Sequence, residues 1–225
     1  FVNHDDEPQA LLRDARVADD LALESKAFHS FKDHVIFERT EILTLGGKPY
    51  SVFTPYKNAW LKKVDSFYLQ PYPVPPYAAA LATRPQALRT AVPALADIGF
   101  AATNLAELKI ATGSSGGERL LDDFMLRIDQ YHATRDFPAV KGPSYLGVHL
   151  RFGTLSIRRL AAAALRLQSS GSAGAAVWLS ELIWRDFYAQ ILSNFPHVAT
   201  RAFKPAYDAI CWEQGPAATT LFTAW

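Results

Sequence analysis

The stretch Trp178-Leu-Ser-Glu181-Leu-Ile-Trp184-Arg185-Asp-Phe-Tyr188 sets two tryptophans, a carboxylate and a guanidinium within about three helical turns. Trp178, Glu181, Arg185 and Tyr188 recur at i, i+3, i+7 and i+10, so they form one stripe, with Trp184 on its edge beside Glu181. Leu179, Leu182, Ile183 and Phe187 are left to pack elsewhere. A buried structural role is the plainer reading of an aromatic stripe. The added acid and planar cation suit a flat ligand with polar edges.

Around this helix the chain reads as helical for most of its second half. Glu118 to Tyr131 carries Leu120, Leu121, Phe124, Met125 and Ile128 at helical spacing. Ser156 to Leu167 is rich in alanine and arginine, Ala176 to Ser193 contains the aromatic stripe, and Lys204 to Cys211 is a further helix candidate. The front is different. Glu7 to Glu24 reads as an amphipathic helix opened by Pro8, His34–Phe37 and Ile42–Leu45 as short strands, and Gly46-Gly47 as a turn. Pro49 to Lys57 reads as a loop, and Asn58 to Val64 as a short helix with Trp60 and Leu61 inward. Prolines among tyrosines from Gln70 to Pro76 stop both helix and strand and open a connector running to about Thr112. The expected architecture is a partial α/β domain over 1–66, a connector over 67–112 and a partial all-α domain over 113–225, without internal repeats.

Composition bounds the function. With 225 residues the chain can bury one or two cores, and aromatic residues at 12%, including five tryptophans, are generous. Cys211 is the only cysteine, which excludes an internal disulfide framework. No apolar run approaches membrane-spanning length and no signal-peptide pattern follows Phe1, so a cytoplasmic protein is expected. Net charge is +1, yet residues 1–125 hold 13 Lys+Arg against 16 Asp+Glu, while residues 126–225 hold 10 against 6. A basic half suits a polyanion, although a solvated face accounts for so small an excess.

Other motifs are weaker. Gly113-Ser-Ser-Gly-Gly117 lacks the Gly-Lys-Ser/Thr of a phosphate loop and reads as a flexible lead-in to a helix. The six histidines are scattered, with no metal-like pair on one helix face, so no metal is expected. A Ser-His-Asp triad has no Gly-x-Ser-x-Gly elbow to position it. Two segments read as ligand machinery beside the aromatic helix. Tyr131-His-Ala-Thr-Arg135-Asp136-Phe-Pro-Ala139 presents an aromatic, an arginine and an acid, and Leu150-Arg-Phe152-Gly153-Thr154-Leu155-Ser156 turns into a helix N-terminus with hydroxyls and free N–H groups. Such a turn suits an anion, and a diphosphate there with a flat ring near Trp178 describes a dinucleotide such as FAD.

On these residues, and on Val52-Phe-Thr-Pro-Tyr-Lys-Asn-Ala-Trp60, the chain resembles the photolyase and cryptochrome family, most closely the class I cyclobutane pyrimidine dimer photolyases. The resemblance covers essentially the whole chain, is weakest from Phe67 to Thr112, and implies a fragment that enters partway through the antenna domain and stops before the second half of the FAD domain. It implies FAD contacts from Tyr131, from Phe152, Gly153, Thr154, Leu155 and Ser156 at the diphosphate, and from Trp178 and Arg185. It assigns Glu181 to hydrogen bonding with the damaged pyrimidines and Trp184 to stacking on the flipped lesion, the two catalytic residues. Arg135 and Tyr188, with Glu181, Trp184 and Arg185, would meet UV-damaged DNA. The implied reaction is light-driven transfer of one electron from reduced FAD to the dimer, splitting of the cyclobutane bonds and return of the electron, by a monomer. An antenna chromophore, methenyltetrahydrofolate or deazaflavin, stays open, because Gln9-Ala10 stands where folate-type relatives carry Asn-Glu. Two other readings are kept: a cryptochrome-type photoreceptor signalling through a protein partner, and a structural remnant with incomplete sites.

Overall fold

The computed structural model describes all residues except Ala102, Leu105, Ala106 and Lys109, which fall in the expected connector. Its described residues gather into two compact units, one formed by Phe1–Lys62 with Ile183–Trp225 and the other by Lys63–Leu182.

The first unit begins with a strand–helix–strand arrangement. β1 (Val2–Asn3) pairs in parallel with β2 (Ser30–Phe31), in the register Val2 to Ser30 and Asn3 to Phe31. Parallel neighbours need a crossover, and α1 (Pro8–Leu23) supplies it. Pro8 stands in its first turn behind an extended Glu7, where the missing N–H costs nothing and the fixed φ suits the helix.

Two expected strands are absent. Residues 34–37 form a buried bend, because the Ile36 and Phe37 N–H groups donate to the carboxylate of Asp186 and to no neighbouring strand. Residues 42–45 make one antiparallel bridge, Leu43 to Pro49, around a turn in which Gly47 takes φ +70°. The expected loop at 49–57 is shorter, since α2 starts at Phe53 and runs to Lys63. Pro55 sits in its first turn, where proline is tolerated. Trp60 and Tyr56 are buried and Leu61 is half-buried; Phe37 meets Trp60 edge-on with ring centroids 5.7 Å apart.

The second unit is helical. From Pro71 to Phe100 every residue is exposed, and order is confined to 3-10 turns such as Pro75–Ala80, as the prolines predict. α3 (Gly113–Met125) starts earlier than its apolar pattern, with the glycine-rich segment forming its first turns. A 3-10 turn at Ile128–Gln130 separates it from α4 (Tyr131–Thr134), so the helix expected to reach Tyr131 is broken. α5 (Gly147–Arg151) and α6 (Ile157–Ser169) follow, and Leu160, Ala161 and Ala164 of α6 are fully buried. Arg158 is buried as well, donating to the Tyr68 carbonyl at 2.6 Å, which ties the start of the connector to α6.

α7 (Ala173–Asn194) contains the aromatic stripe, and the Ala175 N–H donates to Ser172 Oγ at 3.2 Å, an N-cap bond at its first turn. Lys204 to Cys211 is a 3-10 turn over Pro205–Ala209 and no α-helix, while α8 (Gly215–Ala224) follows with no buried residue. The architecture is thus a mixed α/β region at the front and a largely helical remainder, as the sequence implies.

Candidate functional site

In the second unit α3 is the hub. Phe124, fully buried, touches Trp178 with centroids 4.9 Å apart and Tyr131 at 5.7 Å, edge-on. Trp178 keeps 3% of its surface, so its indole mainly fills this core and offers a ligand little more than an edge. Arg135 lies over the Tyr131 ring at 5.8 Å, pairs with Asp136 at 3.2 Å, and donates through Nη1 to Glu181 Oε1. That bond holds the Arg135 proton more tightly than usual, and burial, then the Glu181 charge, raise the Tyr131 phenol. Glu181 Oε2 has no hydrogen-bond partner among the described residues, and the Glu181 side chain stays 37% exposed. The carboxylate is therefore fixed at one oxygen and open at the other.

The 152–156 turn belongs to the same unit. Phe152 ends α5 and is exposed; Gly153, at φ +63°, is left-handed, a conformation that glycine adopts without strain. The Thr154 N–H closes back on the His149 carbonyl at 3.0 Å, a Schellman-type end that fixes the turn. Leu155 is buried, while Ser156 caps α6 with its hydroxyl uncommitted to a cap bond. A Cβ at Gly153 would meet nothing within 4 Å, so the backbone there is open to close approach. The positive end of the α6 backbone, the two hydroxyls and an open glycine are the kind of donor set a diphosphate needs, and on this side the residues fit FAD.

The remaining expected residues lie in the first unit. Phe53 stacks on Trp184 at 3.6 Å with planes 7° apart, and Tyr188 stacks at 5.2 Å and 21°, so Trp184 sits in an aromatic pile with part of its surface already covered. Arg185 is turned toward His34, with its Nη1 donating to the His34 carbonyl. Arg185 and Tyr188 line a cleft of about 220 Å³ whose wall includes Asp5, Asp6, Glu7 and Glu38, an acidic rim that disfavours a phosphate backbone. The structure thus brings together Tyr131, Arg135, Trp178 and Glu181, and separately Trp184, Arg185 and Tyr188.

Sequence reading passed over three residues. Asp186 is 1% exposed and its Oδ2 accepts from Ile36 N and Phe37 N, both at 3.2 Å, and from Trp60 Nε1 at 3.0 Å, while Oδ1 has no partner. Burial pushes its pKa up to about 6, against the pull of those donors and of Arg185. An acid inside the apolar row Leu179, Leu182, Ile183, Phe187 was the available signal. Phe53 sat in a segment read as loop, and His149, buried beside Thr154, carried no local mark. Among the described residues no group of three or more His, Cys, Asp or Glu could hold a metal ion, and no helix is long and apolar enough to cross a membrane.

A strand–helix–strand front followed by a largely helical remainder is a mixed α/β and all-α architecture. Residues 1–77 match the family described as DNA photolyase, and residues 178–225 match the FAD binding domain of DNA photolyase. The deoxyribodipyrimidine photo-lyase of Halobacterium salinarum is 34% identical over 223 residues, covering 96% of this chain and 45% of that protein. The corresponding protein of Synechococcus is 31% identical over 240 residues, covering 100% of this chain and 47% of its own length. The fold also matches the crystal structure of a bacterial class III photolyase from Agrobacterium tumefaciens, with a TM-score of 0.79 and 24% identity over 100% of this chain and 46% of that one. The chain is thus similar to photolyases at both ends and along essentially its whole length. It spans about half the length of the curated relatives it matches. The class I expectation is corrected: the solved relative that the fold follows end to end is described as class III, so the motifs that carry the superfamily do not carry the class. FAD is the cofactor of the domain that the C-terminal part matches.

Proposed function

We propose that this chain works in a deoxyribodipyrimidine photo-lyase, a carbon–carbon lyase that repairs cyclobutane pyrimidine dimers in UV-damaged DNA under light. Residues 1–66 are read as the remnant of the antenna domain, 67–112 as the connector, and 113–225 as the first part of the FAD- and DNA-binding domain. The enzyme acts as a cytoplasmic monomer. The observation that carries this reading is Glu181, held at Oε1 by Arg135 and open at Oε2, as a carboxyl must be to meet the polar edge of a pyrimidine.

Each group then has a task. Gly153, Thr154, Ser156 and the first N–H groups of α6 hold the diphosphate, with Phe152 and Leu155 shaping the turn. Tyr131 and the edge of Trp178 border the ring system. Bound there, the flavin supplies light-driven one-electron chemistry. Arg135 orients Glu181 and keeps it charge-balanced, and Trp184, stiffened by Phe53, offers aromatic surface to a base extruded from the duplex, as photolyases and other base-flipping enzymes require. Arg185, bonded to His34, and exposed Tyr188 support that wall.

The test is light-dependent loss of thymine dimers from irradiated DNA by the full-length protein. Repair is expected in light and not in darkness, and Glu181→Ala should lower its yield about tenfold or more, the worth of a hydrogen bond to a charged group. Repair yields equal for wild type and Glu181→Ala would remove Glu181 from the mechanism; no repair by the loaded wild-type protein would remove the function.

A further inference from the structure

We infer that His149 is the positioning residue that decides whether the 152–156 turn presents a hydrogen-bond donor or a lone pair to a phosphate. The inference rests on the diphosphate placement proposed above. His149 is 1% exposed, its Nδ1 lies 2.7 Å from Thr154 Oγ1, and its Nε2 has no partner. Its backbone carbonyl also accepts from the Thr154 N–H at 3.0 Å, so Thr154 is tied to this one residue twice. α3 leaves room for the pair with a glycine: a Cβ at Gly117 would stand 3.0 Å from His149 Nδ1 and 2.8 Å from Leu155 Cγ.

A threonine hydroxyl has one proton. If His149 Nδ1 is bare, Thr154 must donate into it, and only oxygen lone pairs face outward, where they repel an anion. If Nδ1 carries the hydrogen, Thr154 Oγ1 accepts it and its own proton is free to point at a phosphate oxygen. In most histidines the proton is placed by a partner on the opposite nitrogen. Here Nε2 meets none among the described residues, so none of them opposes the choice made at the Nδ1 end. A diphosphate in the turn selects the Nδ1–H tautomer, and the buried imidazole becomes a relay that turns Thr154 into a donor.

The test uses the full-length protein loaded with FAD. Nitrogen-15 NMR of His149 should report Nδ1 protonated and Nε2 bare. His149→Leu should raise the FAD dissociation constant about tenfold or more, Thr154→Val should do the same, and the double variant should be no worse than either alone. His149→Asn, whose amide nitrogen takes the Nδ1 position, should return affinity to within about threefold of wild type, which a merely space-filling role would not predict. An Nε2–H tautomer in the loaded protein, additive losses, or failure of His149→Asn to rescue overturns the inference. If Thr154→Val weakens FAD and His149→Leu does not, only the role of His149 is lost. If Thr154→Val and Ser156→Ala both leave FAD binding unchanged, the placement of the diphosphate falls and takes this inference with it.

Discussion

Two carboxylates five residues apart on α7 live in opposite surroundings. Glu181, in the Lys63–Leu182 unit, is partly exposed and meets a guanidinium; Asp186, in the other unit, is buried and meets three neutral N–H donors. The first is part-exposed and held by a single pair that solvent screens, so it is easy to release. The second is costly to charge and cannot be released without orphaning its donors, which suits a clamp. One helix therefore carries both an adjustable acid and a fixed one, and the chemistry of a carboxylate here is set by its neighbours and not by its place in the stripe.

The largest way to break the contrast is Asp186→Ala. Three buried N–H groups would lose their acceptor, and unfolding by urea should show a loss of about 3–5 kcal/mol. A loss below about 1 kcal/mol would mean that Asp186 is no clamp. Next comes pH. The folded protein holds the Asp186 proton up to about 6, whereas the unfolded chain releases it near 3.8, so the folded state binds it more tightly. This group favours folding most below about pH 4, and that advantage, about 3 kcal/mol, is lost as pH rises through 6. The difference in stability between wild type and Asp186→Asn, followed from pH 4 to 7, should fall accordingly; a flat difference would remove the desolvation argument. The smallest effect is Glu181→Gln, which should change stability by less than about 1 kcal/mol, because the ion pair with Arg135 is part-exposed and screened. A larger loss would make Glu181 structural too and dissolve the comparison.

Much of the helical structure was legible because its signals are local. The apolar spacing of α1, α6 and α7 marks them within a few residues at each end, and the prolines before Tyr77 mark an unpacked connector. What was misread depends on distant partners. His34–Phe37 has the composition of a strand, but its N–H groups are satisfied by Asp186, 149 to 150 residues away. Gly113–Gly117 has poor helix propensity, yet Gly116 and Gly117 lie close against Ala111, His149 and Leu155, so packing overrides propensity there. The site divides in the same way. The types and spacing on α7 identified Glu181 and Trp184 as candidates, whereas the grip of Arg135 on Glu181 and of Phe53 on Trp184 arises from residues far away in sequence, which no periodicity reveals.

The parallel pile of Phe53 on Trp184 has a consequence for association. An indole held at 3.6 Å by one ring and flanked by another has few rotamers left. Immobilising a free side chain on binding opposes association by about 0.5–1.5 kcal/mol. Here that loss of freedom falls on folding instead, so the part of Trp184 left uncovered is a surface that is already preorganised.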